Sequence, residues 1–189
     1  RITDIDCAPS IKKGNEENHA IGLGAMNLHG FLATNKIYYA SDEAVEFTDI
    51  FFYTLAYYAF LASNKLAKKY GSFYGFEDSE YYNGKYFEKY TKEDINIKNE
   101  KIAKLFEKYS VKIPTKNDWK KLSENIHENG LANAHLLAVA PTGSISYVSS
   151  CTPSLQPIVA PIEVRKEGKL GRVYVPAYKI NDENYKYYE

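Results

Sequence analysis

Cysteine is scarce in this sequence, and so are clustered metal ligands. The 189 residues include two cysteines, Cys7 and Cys151, which lie far apart without a CxxC spacing, and only four histidines. This pattern indicates neither a zinc site nor a disulfide framework. We therefore expect no metal and no cofactor in this segment, and a reducing cytoplasm as its compartment.

Long apolar runs and an excess of one charge are also missing. The longest apolar candidate, Ile50 to Ala62, is shorter than the roughly 18 to 20 residues that a bilayer requires, and no signal-peptide pattern opens the chain. Lys plus Arg and Asp plus Glu both number 24, so the formal net charge is zero. We expect no membrane span and no nucleic-acid partner, and any anion site must be local.

Methionine occurs once, at Met26, and the first residue is Arg1. We therefore expect a piece of a larger protein, with residues 1–189 forming one partial domain that is incomplete at both ends. The aromatic content is 15%, with 18 tyrosines. Such half-polar aromatic surface fits large interfaces inside a bigger protein.

Helical patterns dominate the first two thirds of the chain. After a connecting loop, apolar spacing from Glu16 to about Ala33 predicts a helix, although its three glycines each cost about 1 kcal/mol relative to alanine. Ser41 with acids after it, and lysines before Gly71, predict the start and end of a long helix that is buried over much of its length. Shorter amphipathic helices are predicted at Glu80 to Tyr90, Glu100 to Tyr109 and Asn117 to Asn129.

Strand patterns appear later in the chain. The apolar run from His135 to Ala140 is typical of a strand buried on both faces, as in α/β sheets and barrels. Ile162 to Val164 and Val173 to Val175 predict a hairpin, whose tip from Arg165 to Arg172 is charged and exposed. The sequence therefore predicts an α/β fold that is rich in helix, with one buried strand and a C-terminal β-hairpin.

The segment with the most chemical content directly follows the predicted buried strand, from Ala140 to Tyr147. One glycine and three hydroxyls at a strand-to-helix turn offer free backbone N–H groups and side-chain donors, which suit a phosphate. Gly143 would let an anion approach the backbone closely. An ordinary capped turn has the same composition, and the segment has neither a Walker lysine nor a GxGxxG pattern.

Other reactive side chains favour structural roles. Cys151 could be a nucleophile with His135 as its base, in an independent hydrolase, but a lone cysteine is more often a small buried hydrophobe. His19 and His29 lack metal-ligand spacing, so we interpret both as hydrogen-bonded structural histidines. The terminal Tyr187-Tyr188 pair is interpreted as packing.

Four stretches together resemble one family. They are "HAIGLGAMNLHGFLATNKIYY" (His19 to Tyr39), "FYTLAYYAFLASNKLA" (Phe52 to Ala67), "FYGFEDSEYYNGKYF" (Phe73 to Phe87) and "VAPTGSISY" (Val139 to Tyr147). In this order they resemble the large subunit of class I ribonucleotide reductase, and most nearly the bacterial class Ib type. The resemblance covers nearly the whole chain.

The resemblance implies a fold, a reaction and partners. The fold would be part of a ten-stranded α/β barrel, and the reaction the thiyl-radical reduction of ribonucleoside diphosphates to deoxyribonucleoside diphosphates for DNA synthesis. The partners implied are the remainder of the large subunit, a small subunit that carries a metal-based radical, and a dithiol reductant similar to thioredoxin or glutaredoxin.

The resemblance also assigns site residues. The family's diphosphate-binding loop matches Pro141, Thr142, Gly143, Ser144 and Ile145. No catalytic residue is expected here, because the family's radical-bearing Asn-Leu-Cys-x-Glu loop would precede Arg1 and its Leu-Tyr-Tyr relay would follow Glu189. An alternative is a non-catalytic relic, or an assembly fragment, that keeps the scaffold.

Overall fold

A computed structural model of the chain describes residues 7–168 and 171–189. The α-helices in these residues are α1 (Pro9–Asn18), α2 (Leu28–Thr34), α3 (Asp42–Tyr70), α4 (Glu88–Thr91), α5 (Glu100–Lys108), α6 (Lys116–Asn129) and α7 (Gly143–Val148). Short 3-10 turns occupy Phe76–Asp78, Lys85–Phe87 and Tyr185–Tyr188, and the strands are β1 (Ile162–Glu167) and β2 (Gly171–Pro176). The described residues are thus rich in helix with a small two-stranded sheet, and they do not close a barrel.

Two compact units divide the described residues. The first unit contains the residues up to Leu23 together with Asp49–Ala138, and the second contains Gly24–Thr48 and Val139–Glu189. The single partial domain expected for residues 1–189 stays a prediction.

Helix α3 has the predicted boundaries. Ser41 Oγ accepts the N–H of Ala44 at 3.2 Å at its start, and Gly71, at φ +88°, ends it. Ile50 is buried, but Val45 is 66% exposed. Buried residues nevertheless occur from Ala44 to Ala67, and Ile50 and Ala59 lie on opposite sides of the helix, so burial over much of its length is confirmed.

The core of the first unit is aromatic. Trp119 on α6 is fully buried and stacks on Tyr90, with 4.1 Å between ring centroids. Tyr53 and Phe60 on α3 meet the same indole edge-on, which is a favoured geometry for aromatic pairs. The single tryptophan thus joins α3, α4 and α6.

The predicted helices between residues 80 and 130 are partly confirmed. Helices α5 and α6 lie where they were expected, and α6 begins with a capping box between Thr115 and Asp118. The predicted helix from Glu80 to Tyr90 is wrong over most of its length. Gly84 has φ +76°, a conformation in which a right-handed helix cannot continue. Between Gly84 and Thr91 the chain forms a 3-10 turn and the short helix α4.

The predicted helix from Glu16 to Ala33 is also wrong. Helix α1 ends at Asn18, α2 begins at Leu28, and the residues between them run alongside the segment after residue 134. Ile21 N–H donates to the carbonyl of His135 at 2.9 Å, and Ala138 N–H donates to that of Leu23 at 3.0 Å. A Cβ on Gly22 would lie 3.0 Å from Ala138 Cβ, so this glycine serves close backbone contact rather than helix packing.

The prediction that His135 to Ala140 form a strand buried on both faces is also wrong in part. Within the described residues this segment makes one parallel bridge, from Leu137 to Leu23. Leu136 is buried, but Leu137 is 38% exposed. The apolar pattern correctly predicted extended backbone but wrongly predicted burial on both faces. Among the described residues, a neighbouring extended segment lies on only one side of this one.

Buried asparagine side chains hold the backbone that leads into residues 135–138. Asn64 Nδ2 on α3 donates to the carbonyls of Asn125 and Gly130, at 3.0 and 2.9 Å. Asn133 Oδ1 accepts from Ser63 Oγ, and Asn133 Nδ2 donates 2.7 Å to the carbonyl of His19. Irregular backbone in the first unit is therefore fixed to α3 by polar contacts.

The C-terminal hairpin is confirmed and is longer than predicted. Strands β1 and β2 pair antiparallel over Ile162–Glu167 and Gly171–Pro176, with Val164 opposite Tyr174. Both residues of this pair are more than half exposed. The middle of the predicted charged tip, residues 169–170, lies outside the described residues.

His29 is a buried structural histidine in the second unit, as predicted. Its Nδ1 accepts the N–H of Ile158 at 3.0 Å, so Nε2 carries the proton that is donated to the carbonyl of Tyr187 at 3.0 Å. The rings of Tyr39 and Tyr188 meet the imidazole edge-on. Burial lowers the pKa of His29, more than the Tyr187 bond raises it.

No helix in the described part of the chain is both long enough and apolar enough to cross a membrane.

Glycine at position 130 is required at the end of α6, and its replacement gives a first prediction. An added Cβ would overlap Ser72 Oγ and lie 2.9 Å from Ser72 Cβ, at a φ of +76°. We expect Gly130→Ala to lower the free energy of unfolding by about 1 to 3 kcal/mol. Gly14→Ala is the comparison, because nothing lies within 4 Å of its added Cβ and alanine inside α1 should leave stability equal or raise it by up to about 1 kcal/mol. Urea unfolding of the parent chain and both variants checks this, and a Gly130→Ala midpoint equal to that of the parent would contradict it.

Protonation of His29 should weaken the second unit, which gives a second prediction. Its folded pKa is below the ordinary 6.5, so the unfolded state binds more protons and stability falls as the pH drops through this region. His29→Gln should cost about 1 kcal/mol at pH 7.5 through the lost Ile158 bond, yet lose less stability on acidification. The Glu183 carboxyl, whose pKa is lowered by its hydrogen bond to Lys36, is present in both proteins, so its titration cancels in the comparison. If the unfolding midpoints of the parent chain and of His29→Gln change equally with pH, the tautomer assigned to His29 is contradicted.

Candidate functional site

The predicted loop, Pro141 to Ile145, leads into helix α7. Thr142 precedes the helix in the left-handed conformation, at φ 49° and ψ 30°, and its carbonyl accepts the N–H of Ser146 at 3.0 Å. The N–H groups of Gly143, Ser144 and Ile145 come before this first bond and have no acceptor within the helix. These three residues are exposed, and nothing lies within 4 Å of a Cβ placed on Gly143.

The hydroxyls of this loop have different roles. Thr142 Oγ1 accepts the N–H of Ser154 at 2.6 Å, and Ser146 Oγ, which is buried, donates to the carbonyl of Gly143 at 2.8 Å. Ser144 is exposed. Two of the three hydroxyls that suggested a phosphate site thus shape the loop, while Ser144 faces solvent.

Backbone strain is concentrated in this part of the chain. Thr142, Ser150 and Ser154 all have φ between 48° and 49°, a region that costs an L-residue about 1 to 2 kcal/mol. Such strain persists only where surrounding contacts hold it, and it is common at ligand sites. No sequence pattern indicates this strain, because none of the three is glycine.

Two residues that sequence reasoning missed hold the segment behind the loop. Asn27, at φ 70°, donates its N–H to the carbonyl of Thr152 at 2.9 Å, and Asn27 Oδ1 accepts the N–H of Thr152 at 3.1 Å. Thr152 is 2% exposed, and its Oγ1 accepts the N–H of Gly30 at 3.2 Å. Because 125 residues separate this pair, no local pattern could have indicated it.

A cavity of about 520 Å³ lies next to α7 within the second unit. Its walls include Tyr147, Cys151, Glu163, Val173, Tyr178 and Lys179. Burial raises the pKa of the Cys151 thiol, which disfavours the nucleophilic thiolate. This agrees with the interpretation of Cys151 as a small hydrophobe rather than a nucleophile, although its side chain is only partly buried.

The other candidate side chains are those of Cys7 and His19. Cys7 is exposed, and both cysteines are free. His19 lies exposed just after α1. Among the residues described, no group of three His, Cys, Asp or Glu side chains could hold a metal ion.

Tyr188 confirms the packing interpretation of the terminal tyrosine pair. Its side chain is 1% exposed, and its hydroxyl donates to the carbonyl of Tyr178. Burial raises the pKa of Tyr188 to about 12. The ring of its neighbour Tyr187 packs on Tyr38, with 4.6 Å between centroids.

Comparison with known proteins supports the resemblance given by the four sequence stretches. The sequence model of the family described as "Ribonucleotide reductase, barrel domain" matches residues 2–187. The ribonucleoside-diphosphate reductase subunit alpha of Mycoplasma genitalium is 65% identical over 100% of this chain, which covers 27% of that protein. The corresponding subunit of Bacillus subtilis is 44% identical over 99% of the chain, which covers 26% of it.

A more distant relative also aligns with nearly the whole chain. The ribonucleoside-diphosphate reductase subunit alpha of Helicobacter pylori is 32% identical over 99% of the chain and 23% of its own length. The chain thus spans about a quarter of the length of these curated relatives. Since the family match covers nearly every residue, the chain belongs to the ribonucleotide reductase barrel-domain family.

Proposed function

We propose that this chain is a substrate-positioning segment of the catalytic subunit of a ribonucleotide reductase of the class Ib type. The whole subunit would reduce ribonucleoside diphosphates to deoxyribonucleoside diphosphates. The observation that carries the proposal is the family match over residues 2–187. Relatives that align with the full chain are named ribonucleoside-diphosphate reductase subunit alpha.

Within this segment, Pro141 to Ile145 would hold the diphosphate of the substrate. The loop is exposed around Gly143, and consecutive N–H groups lead into α7 without an acceptor in the helix. An oxygen-rich anion could approach Gly143 closely, because no side chain occupies the space beside its Cα. The same loop would fix the ribose indirectly, since the diphosphate and the sugar are one molecule.

The chain's own residues would contribute binding and orientation. The rest of the enzyme would contribute a cysteine that abstracts the 3′ hydrogen, a thiol pair that reduces the 2′ position, and a metal-bearing small subunit that supplies the radical. A displacement of about 1 Å in a bound substrate can cost about a hundredfold in rate. Holding the diphosphate rigidly is therefore a catalytic contribution, although Cys7 and Cys151 take no part in the chemistry.

The extended pair of segments in the first unit fits a place in the family's barrel. Residues 21 to 23 and 135 to 138 run parallel, as neighbouring barrel strands do. The remainder of the subunit would supply further strands of a ten-stranded barrel and cover side chains such as Leu137. The other partners proposed are the small subunit and a reductant similar to thioredoxin or glutaredoxin, with the cytoplasm as the compartment.

Filling the space beside Gly143 tests the loop and gives a third prediction. In the full-length subunit, Gly143→Val should weaken nucleoside diphosphate binding by about tenfold to a hundredfold, because its side chain would occupy the path of the anion. Equilibrium binding of a nucleoside diphosphate, with the matching nucleoside as comparison, measures the effect.

The matched control is Gly14→Val, which places the same side chain on a helical glycine with equally open surroundings. It should leave the affinity unchanged. Unaltered nucleoside diphosphate affinity in Gly143→Val would refute the assignment of this loop.

A further inference from the structure

We propose that Asn27 and Thr152 are positioning residues for the diphosphate-binding loop. Neither residue lies in the loop, and Asn27 comes from a segment more than a hundred residues earlier in the sequence. The inference rests on the proposed function of Pro141 to Ile145. It adds two residues that would set the loop's conformation without contacting the substrate.

The first link joins Asn27 to Thr152 through reciprocal bonds. The Asn27 N–H donates to the Thr152 carbonyl, and the Asn27 side-chain oxygen accepts both the N–H and the hydroxyl of Thr152, at 3.1 and 3.3 Å. Gly30 adds its N–H to Thr152 Oγ1 at 3.2 Å. Four hydrogen bonds therefore fix a threonine that is 2% exposed.

The second link joins this fixed segment to the loop. Ser154 lies two residues after Thr152, is 3% exposed, and donates its N–H to Thr142 Oγ1 at 2.6 Å. The Thr142 side chain is thereby held at the point where the backbone enters the left-handed region. The conformation of Thr142 sets the direction in which the N–H groups of Gly143, Ser144 and Ile145 point.

Gly30 gives the arrangement an independent test, because the Asn27 amide lies against it. A Cβ on Gly30 would overlap Asn27 Oδ1, lie 3.0 Å from Asn27 Cγ and lie 3.1 Å from Tyr178 Cβ, so its main clash is with the Asn27 amide. Gly30→Ala should therefore displace the Asn27 side chain without altering Asn27 itself. It reproduces the loss of the Asn27 contact by a second route.

The experiment uses the full-length subunit with its small subunit and reductant, and compares two changes at position 27. Asn27→Gly keeps access to φ 70° but removes the side-chain acceptor, whereas Asn27→Asp keeps that acceptor. We expect Asn27→Gly to raise the Kd for a nucleoside diphosphate by about tenfold, with little change for the matching nucleoside. Asn27→Asp should stay within about threefold of the parent protein, and Gly30→Ala should behave like Asn27→Gly.

A double variant distinguishes positioning from general damage. If Asn27 acts through the loop, Asn27→Gly should add little to the loss already caused by Gly143→Val, because the two changes affect one structure. A thermal unfolding scan confirms that each variant is folded, and Gly30→Ala replaces Asn27→Gly if the latter does not fold.

The outcomes separate this inference from the proposed function. A loss in Gly143→Val with parent-like binding in Asn27→Gly and Gly30→Ala would overturn the positioning role and leave the loop assignment standing. An equal loss for diphosphate and nucleoside, or additive losses in the double variant, would also overturn it. Unchanged diphosphate affinity in Gly143→Val would refute the loop assignment itself, and the positioning role with it.

Discussion

A peptide group that is buried outside a helix or sheet destabilises the fold unless another group completes its hydrogen bonds. In both units an asparagine side chain meets this requirement. Asn64 and Asn133 hold the irregular backbone after α6, and Asn27 holds the segment around Thr152. The extended backbone before α7 follows the first of these fixed segments, and the loop at the start of α7 precedes the second.

Helices whose ends are set by residues close to them in the sequence could be predicted. Helix α3 begins at its serine cap and ends at Gly71, and α6 begins at its capping box, because caps act over three or four residues. The error between Glu16 and Ala33 has a different origin. Gly22 is explained by Ala138, which is distant in the sequence, and helical spacing of apolar residues cannot reveal such a partner.

The turn that leads into α7 could be predicted, but its hydrogen bonds could not, and its role as a phosphate site stays a prediction. Glycine and hydroxyls concentrated in one short segment indicated the loop, and the resemblance supplied its role. The sequence could not divide the hydroxyls into those that bond within the protein, at Thr142 and Ser146, and the exposed one at Ser144. Nor could it find Asn27, because a polar residue with one distant partner leaves no periodic pattern.

The left-handed backbone at Thr142 limits which amino acids suit this position. Glycine would adopt φ 49° more readily, but it has no side-chain oxygen to accept the Ser154 N–H. Valine matches the shape of threonine but lacks the acceptor, and as another β-branched residue it would keep the strain. Serine keeps a hydroxyl oxygen that can accept the Ser154 N–H, so position 142 combines a strained backbone with a short side-chain acceptor.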